Sequence, residues 1–277
     1  MLGFLLFLSG CNTREAAPIA DASPTATPFL LPTPTPHASP TPRPQPRIIY
    51  GIQTKRRVFA LTFDDGPDPT WTPKILAILQ KWHAPATFFM VGKMVRAHPQ
   101  FALKVQAAKF PIGNHSWSHP RTSDFPAAEI ERTDAIIQRV LGFKPTLFRP
   151  PYGILNNGLA KVALSRGEDV IVWNSLGADW DKRATPRSIE SKVLHRARPG
   201  GIALLHDGGG NRAKTVAALP FLIDHLRKRG FRFVTLPELL KMGPPIPLPV
   251  PRKPRPKRSN PPSQLKIPKI TVRKPAG

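Results

Sequence analysis

The chain has 277 residues, with 36 prolines, one cysteine and a formal net charge of +24. The length suits one large domain or two small ones, and a single cysteine excludes an internal disulfide. The positive charge attracts nucleic acid, anionic lipid and anionic wall polymers alike, so it selects no partner without further evidence.

The first eleven residues, MLGFLLFLSGC, form a short apolar run that ends in Leu8-Ser9-Gly10-Cys11. This ending resembles the lipobox of bacterial lipoproteins, in which the cysteine is lipidated and becomes the mature N-terminus. The positively charged start of a secretory signal is missing, so a plain secretory signal or short anchor is the alternative. We expect residues 1–11 to be a lipoprotein-type signal, Cys11 to be the lipidation site, and the protein to be an extracytoplasmic lipoprotein of the cell envelope, or otherwise secreted.

Two proline-rich arms flank the centre of the chain. Residues 12–46 are rich in Pro and Thr, which favours extended polyproline II at roughly 3.1 Å per residue and a tether of up to about 100 Å. Residues 243–277 alternate proline with nine Lys or Arg and contain no acids. Both arms lack the apolar density needed to fold, so we expect them to be disordered. No known nucleic-acid-binding motif accompanies the basic arm, so we expect no specific nucleic-acid partner.

Residues 47–242 alternate short β-like runs with longer helical ones. The apolar pattern predicts helices over Pro73–Trp82, Pro99–Lys109, Ala127–Leu141, Asn157–Arg166, Pro186–Ala197 and Ala213–Arg229. It predicts strands over Val58–Phe63, Ala86–Val91, Pro111–Asn114, Thr146–Phe148, Asp169–Trp173, Ile202–Leu205 and Phe231–Val234. Seven strands alternating with helices predict an α/β domain with a parallel sheet, either a closed barrel or an open sheet.

Polar clusters follow five of these strands, where parallel α/β folds place reactive groups. TFDDGP, residues 62–67, sets two carboxylates side by side, Asp64 and Asp65, so that one could bind a cation while the other accepts a proton. In HSWSH, residues 115–119, a helical turn would put His115 and His119 on one face, where both could reach the same ion. Taken alone, the first motif is as typical of a turn, and the second of two surface histidines.

The remaining clusters add a cation and a second acid–base pair. In RPPYG, residues 149–153, Arg149 could orient a carboxylate through a bidentate pair. The histidine of LLHD, His206, could act as a general acid if a carboxylate raises its pKa. Asp179-Trp180 is the fourth cluster in chain order.

These five segments, in this order, resemble the polysaccharide deacetylase family, which contains the chitooligosaccharide deacetylase of nodulation and peptidoglycan N-acetylglucosamine deacetylases. The resemblance spans about residues 57–240 and implies a distorted (β/α) barrel of about seven strands. It implies that Zn²⁺, or another divalent metal such as Co²⁺, supports hydrolysis of N-acetyl groups on a polysaccharide. The residues it assigns to the metal are Asp65, His115 and His119.

The same resemblance assigns the catalytic roles. Asp64 would be the general base, held by Arg149, and His206 the general acid, positioned by Asp179. The acetyl pocket and the oxyanion site would be formed by the side chains of Trp180 and Leu204 and by the backbone N–H of Tyr152. One position departs from the family pattern, because many relatives carry an aspartate where this chain has Leu176. We expect altered local support there and retained activity.

A tethered, basic enzyme outside the membrane would meet an anionic wall first, which favours peptidoglycan over chitin-like substrates. An O-acetyl polysaccharide esterase of the xylan type and a non-catalytic wall-binding lipoprotein are the alternatives. We expect a monomer.

Overall fold

The computed structural model of the protein describes residues 45–247. Cys11, the predicted signal segment and almost all of both predicted arms lie outside the described residues. The strands within this range are β1 Ile48–Ile49, β2 Val58–Asp64, β3 Ala86–Met90, β4 Ile112–Asn114, β5 Leu147–Phe148, β6 Asp169–Ile171, β7 Ser175–Leu176, β8 Gly201–His206 and β9 Arg232–Phe233. The helices are α1 Trp71–Lys81, α2 Gly92–Ala97, α3 Pro99–Ala107, α4 Pro126–Leu141, α5 Leu159–Ser165, α6 Pro186–Arg196, α7 Ala213–Lys228 and α8 Leu236–Leu239.

The strands form one sheet in the order β1-β6-β5-β4-β3-β2-β8-β7, with β9 paired to the beginning of β2. Every pair of strands in this sheet is parallel. The sheet curls into a half-barrel, and within residues 45–247 no ladder joins β1 to β7. The predicted distorted (β/α) barrel is confirmed. Of the two predicted forms of the sheet, closed and open, the described residues show the open one, with a gap between β1 and β7.

Strand β2 is buried along its whole length, as expected for a central parallel strand covered on both faces. Side chains alternate between the two faces of a strand. Phe59, Leu61 and Phe63 pack into the larger core cluster with the helices, whereas Val58 and Ala60 belong to a second cluster. Thr62 and Asp64 continue the face of Val58 and Ala60. The alternation of β2 therefore directs a carboxylate toward the interior of the half-barrel.

The helices cover the outer face through apolar stripes at helical spacing. Helix α4 buries Ile130, Ile137 and Leu141, begins with a proline in its first turn, and ends at Gly142, whose φ of 80° suits glycine. Helix α7 buries Leu219, Leu222, Ile223 and Leu226 against the same core. None of the helices in the described part of the chain is long and apolar enough to cross a membrane.

The structure adds elements that the apolar pattern did not predict. Strands β1 and β7 have two residues each, and helices α2 and α8 have six and four. The ordered chain also extends past the predicted boundary at residue 242. There the Gln53 N–H donates to the Pro244 carbonyl and the Ile246 N–H donates to the Gly51 carbonyl, each at 2.8 Å.

Candidate active site

The predicted site residues converge at the carboxyl edge of the sheet. Asp64 ends β2 and lies opposite His206, which ends the neighbouring strand β8. His115 directly follows β4, Arg149 follows β5, and Asp179 comes three residues after β7. The edge borders a cavity of about 810 Å³. Its lining includes Asp64, Asp65, Asp68, Val91, Met94, His115, His119, Arg121, Tyr152, Trp173, Trp180, Leu204, His206, Gly209, Gly210 and Arg212.

Asp65, His115 and His119 form the group of potential metal ligands in the described residues, with ligand atoms all within 4.8 Å of one another. Asp65 Oδ1 lies 3.4 Å from His115 Nε2 and 3.3 Å from His119 Nε2. The expected helical turn in HSWSH is wrong, because residues 115–119 form a loop. Left-handed backbone at Ser116 and His119, with φ of 66° and 58°, brings the two imidazoles to Asp65 instead.

The donor set fits a divalent metal. His115 Nδ1 lies 2.7 Å from the carbonyl oxygen of Arg149, which can only accept, so Nδ1 carries the proton and Nε2 presents its lone pair to the site. Within residues 45–247, Asp65 Oδ1 is buried and has no hydrogen-bond partner. An orphaned carboxylate oxygen between two imidazole nitrogens is the arrangement of a three-ligand site with room for another group.

Electrostatics hold these groups in the protonation states that bind metal. Burial raises the pKa of Asp65, but the adjacent His115 imidazole, followed by those of His206 and His119, outweighs it, so the pKa lies well below the usual range. Burial, followed by the nearby His115, lowers the pKa of His119. The carboxylate is therefore ionised and this imidazole neutral near pH 7.

Asp64 is held by a fully buried arginine. Nη1 of Arg149 donates to Asp64 Oδ1 and to Thr62 Oγ1, both at 2.7 Å. The guanidinium lies over the Phe89 ring at 4.2 Å. Burial lowers the pKa of Arg149, and the charge and hydrogen bond of Asp64 oppose that shift. One carboxylate oxygen is thus engaged, and Oδ2 lies 3.6 Å from His115 Nε2.

The second pair is His206 with Asp179. Asp179 Oδ1 lies 2.8 Å from His206 Nδ1, and its Oδ2 accepts from the His206 N–H at 2.9 Å and from Thr215 Oγ1 at 2.8 Å. Burial lowers the pKa of His206, but the Asp179 charge and hydrogen bond outweigh it, so the pKa is raised. Although burial raises the pKa of Asp179, His206 lowers it more, and the net pKa is below its usual value. The geometry supports an imidazolium whose Nε2 is left for the cavity.

The residues predicted to receive the acetyl group also border the cavity. Leu204 is buried on β8, and the half-exposed Trp180 ring lies edge-on to the His206 ring at 5.2 Å. Tyr152 has left-handed backbone, with φ of 58°, and its ring lies 4.5 Å from that of His119. The oxyanion role of its N–H stays a prediction.

Four residues with carboxylate, guanidinium or hydroxyl side chains at or near this cavity were not predicted from the sequence: Asp68, Arg121, Arg212 and Thr215. Arg212 is buried and donates to the carbonyls of Gly208 and Gly209, with Nη2 4.0 Å from Asp65 Oδ2. Asp68 accepts from the N–H groups of Thr70 and Trp71. These residues belong to none of the five motifs, and no pattern in the sequence distinguishes them from ordinary loop and helix residues.

Asp207, next to His206, is a buried carboxylate. The LLHD motif did not predict its burial or its contact with Thr72. Its Oδ2 accepts from Thr72 Oγ1 at 2.5 Å. Burial raises its pKa to about 7, although the Thr72 hydrogen bond opposes the shift. A Cβ added at Gly66 would meet Asp207 Oδ2 at 2.2 Å, so the glycine of TFDDGP is required by the close approach of LLHD.

Comparison with known proteins adds independent findings. Residues 51–171 match the polysaccharide deacetylase family. A peptidoglycan-N-acetylglucosamine deacetylase of Bacillus cereus strain ATCC 14579 is 38% identical over 200 residues, which cover 70% of this chain and 93% of that protein. A crystal structure of a peptidoglycan N-acetylglucosamine deacetylase in complex with 4-naphthalen-1-yl-N-oxidanyl-benzamide superposes with a TM-score of 0.65 and 34% identity, covering 70% of this chain and 92% of the other.

A pseudoenzyme of the CE4 family from Bacillus anthracis also superposes, with a TM-score of 0.63, 29% identity and coverage of 70% of this chain and 69% of that chain. The fold alone therefore does not guarantee catalysis. Evidence for catalysis has to come from the side chains at the carboxyl edge of the sheet. The match to the Bacillus cereus protein is long and similar enough to establish family membership. The chain belongs to the polysaccharide deacetylase family.

Proposed function

We propose that the protein hydrolyses N-acetyl groups from the amino sugars of peptidoglycan. The observation that carries this proposal is the opposition, across one cavity, of an arginine-held carboxylate and an aspartate-held imidazole beside a three-ligand metal site. Amide hydrolysis needs all three, because water must be deprotonated, the oxyanion stabilised and the amine leaving group protonated.

Asp65, His115 and His119 would hold a divalent metal, with zinc or cobalt as candidates. The metal would supply Lewis-acid polarisation of the amide carbonyl and acidification of the attacking water. The hydrogen bond from His115 Nδ1 to the Arg149 carbonyl fixes the ring that presents Nε2. The metal half of the site is thus oriented by the same residue that holds Asp64.

Asp64 is the general base in this proposal. Its Oδ1 accepts from Arg149, which leaves Oδ2 to take the proton of the attacking water. The arginine also supplies the opposite charge that a carboxylate buried at this depth needs.

His206 is the proton donor to the leaving amine. Asp179 occupies Nδ1 and stabilises the imidazolium, so the proton on Nε2 faces the cavity. Asp64 and His206 need opposite protonation states at one pH, and each is paired with a group of opposite charge, Arg149 for Asp64 and Asp179 for His206. Trp180 and Leu204 would enclose the acetyl methyl group, and the Tyr152 N–H would donate to the oxyanion.

The proposal includes an extracytoplasmic location with lipid attachment at Cys11. A lipid at that position would tether the domain through residues 12–46, and the protein would act as a monomer. Incorporation of a labelled fatty acid by the wild type and its loss in Cys11→Ser would support the anchor. Equal labelling of both proteins would remove it.

Acetate release from purified peptidoglycan tests the activity. The full chain should release acetate when zinc is supplied, lose that activity after chelation, and recover it on addition of zinc. Asp65→Ala, with Asp124→Asn as a surface control, should abolish release and leave the control unaffected. Absence of release by metal-loaded protein would contradict the proposal.

The same assay separates the alternatives. An O-acetyl esterase would release acetate from acetylated xylan and not from peptidoglycan. It would depend less on His206, because an alkoxide can leave without prior protonation, whereas an amide nitrogen must be protonated before the C–N bond breaks. A non-catalytic wall-binding protein would bind peptidoglycan and release acetate from neither polymer.

A further inference from the structure

Arg121 stands at the rim of the catalytic cavity, two residues after the candidate metal ligand His119. Its guanidinium carbon lies 4.2 Å from the centre of the Tyr152 ring, and the Tyr152 ring lies 4.5 Å from the His119 ring. The Asn157 side chain donates to the main-chain carbonyl of Arg121 at 2.9 Å. The cation is therefore placed a short, defined distance from the reacting centre.

The guanidinium N–H groups of Arg121 have no hydrogen-bond partner in the part of the chain that the structure describes. Among residues 45–247, the contacts of Arg121 are the stacking on Tyr152 and the hydrogen bond to its carbonyl, and neither uses a guanidinium N–H. The other basic groups at this site are engaged: Arg149 with Asp64 and Arg212 with the carbonyls of Gly208 and Gly209. Asp68, the acidic residue of the cavity outside the catalytic group, uses Oδ1 to accept two main-chain N–H groups.

The half-exposed Tyr152 ring and the Arg121 guanidinium beside it together could bind a sugar that carries a carboxylate. The half-exposed Tyr152 ring offers a face or edge against a sugar ring. The guanidinium presents two parallel N–H groups that match a carboxylate, and its contact with the Tyr152 ring limits where it can lie. A neutral polymer of N-acetylglucosamine leaves those donors in water, whereas a glycan with carboxylates close to the acetamido group fills them.

We propose that Arg121, held on Tyr152, is a specificity residue that binds a carboxylate of the substrate glycan beside the N-acetyl group being hydrolysed. This rests on the proposed function and extends it from N-acetylated glycans in general to carboxylate-bearing ones. The carboxylate has two sources in peptidoglycan: the lactyl ether on the muramic sugar, free where the peptide has been removed, and the acidic groups of the stem peptide where it is present.

Three substrates distinguish these sources. Chitin-derived oligosaccharides carry no carboxylate, peptide-free glycan strands carry the lactyl carboxylate alone, and peptide-bearing strands carry peptide carboxylates with the lactyl group converted to an amide. The metal-loaded full chain is assayed for acetate release from each, with kcat and KM determined separately. Arg121→Gln removes the charge. Arg121→Lys keeps the charge but cannot make the bidentate contact of a guanidinium. Arg139→Gln, on the exposed face of α4, removes one charge outside the cavity and serves as the control.

Arg121→Gln should lower kcat/KM on one carboxylate-bearing substrate about tenfold, mainly through KM, as expected for a bidentate charge-assisted pair. The loss on chitin oligosaccharides should be at least about five times smaller. Arg121→Lys should fall between, and Arg139→Gln should match the wild type. The wild-type preference for the carboxylate-bearing substrate should decrease with added salt, and that of Arg121→Gln should not.

An equal fractional loss on all three substrates, or no loss on any, would overturn the proposal, since Arg121 would then act structurally or not at all. Binding of the glycans to Asp64→Asn, with and without Arg121→Gln, separates this outcome from failure of the proposed function. A carboxylate-dependent affinity that Arg121→Gln removes supports the site even if the wild type releases no acetate. Equal affinities of both proteins for charged and neutral glycans would contradict it independently of turnover.

Discussion

At the scale of single residues, the proposed acid and base each have a neighbour of opposite charge. Arg149 is fully buried against Asp64, and Asp179 receives three hydrogen bonds or close polar contacts from His206 and Thr215. Buried charges of this kind are stable only when they are paired. In each pair, replacing the aspartate by asparagine removes the negative charge and keeps the size of the side chain.

Asp64→Asn keeps the size and an oxygen that accepts from Arg149, but it removes the proposed proton acceptor. We expect kcat to fall by roughly 10²- to 10⁴-fold, the usual contribution of a general base, with the bound metal content unchanged. Metal analysis alongside acetate release checks both expectations, with Asp124→Asn as the matched control. Activity within tenfold of wild type would remove Asp64 as the base.

Asp179→Asn removes the charge that keeps the His206 pKa raised. Because His206 must be protonated to donate, activity persists up to its pKa and is lost above it. The mutation lowers that pKa, so we expect the alkaline limb of the pH profile of kcat to move to lower pH, with metal binding retained. An alkaline limb at the wild-type position would show that another group donates the proton.

The residue motifs were predicted from the sequence because each is short and local. TFDDGP, HSWSH, RPPYG and LLHD name the residues that the fold brings to one edge. Arg121, Arg212 and Thr215 were not predicted, because their importance depends on which side chain they meet across the cavity. The loop conformation of HSWSH was also not predicted, since it rests on left-handed backbone at Ser116 and His119 rather than on helical periodicity.

At the scale of elements, the ends of the strands place the site side chains, and helix α7 helps to orient one of them, Asp179. The alternation of β2 and β8 sends Asp64 and His206 to the same interior face as Ala60 and Ile202. Long apolar runs such as β2 and α4 were predictable, because period and length agree in them. Strands β1 and β7 have two residues each and were missed, since two residues show no alternation.

The first turn of α7 supports the acid pair through Thr215, which is buried and donates to Asp179 Oδ2. Thr215→Val keeps the shape and removes the donor, so we expect kcat to fall about fivefold, equivalent to about 1 kcal/mol. Thr215→Ser should restore most of the activity. Melting temperatures of both variants serve as the control, and a fully active Thr215→Val would contradict this support.

At the scale of the whole molecule, the half-barrel has a seam where β1 and β7 are the outer strands. The segment after α8 returns to residues 51–53 and pairs with them through two main-chain hydrogen bonds and a hydrogen bond from the Gln53 side chain to the Pro245 carbonyl. Composition placed residues 244–246 in a disordered arm, because proline richness indicates poor packing but does not exclude a single antiparallel bridge.

Ending the chain after Met242 should therefore cost stability that ending it after residue 250 does not. Loss of these bonds is expected to lower the free energy of unfolding by about 1–3 kcal/mol. For a domain of this size the melting temperature should fall by about 3–10 °C. Thermal unfolding of the two truncated proteins measures the difference, and equal melting temperatures would show that the segment adds nothing.

The order of the strands along the chain differs from their order in the sheet, and the two halves of the site are completed at different times. Asp65, His115 and His119 follow β2 and β4, which are joined through β3, whereas His206 arrives on β8 at the other side of β2. In a chain that emerges N-terminus first, the ligand set is synthesised well before the proton donor. A partly synthesised chain would then hold the proposed metal ligands before the proposed proton donor, so that hydrolysis begins only when the last third of the domain has folded onto the sheet.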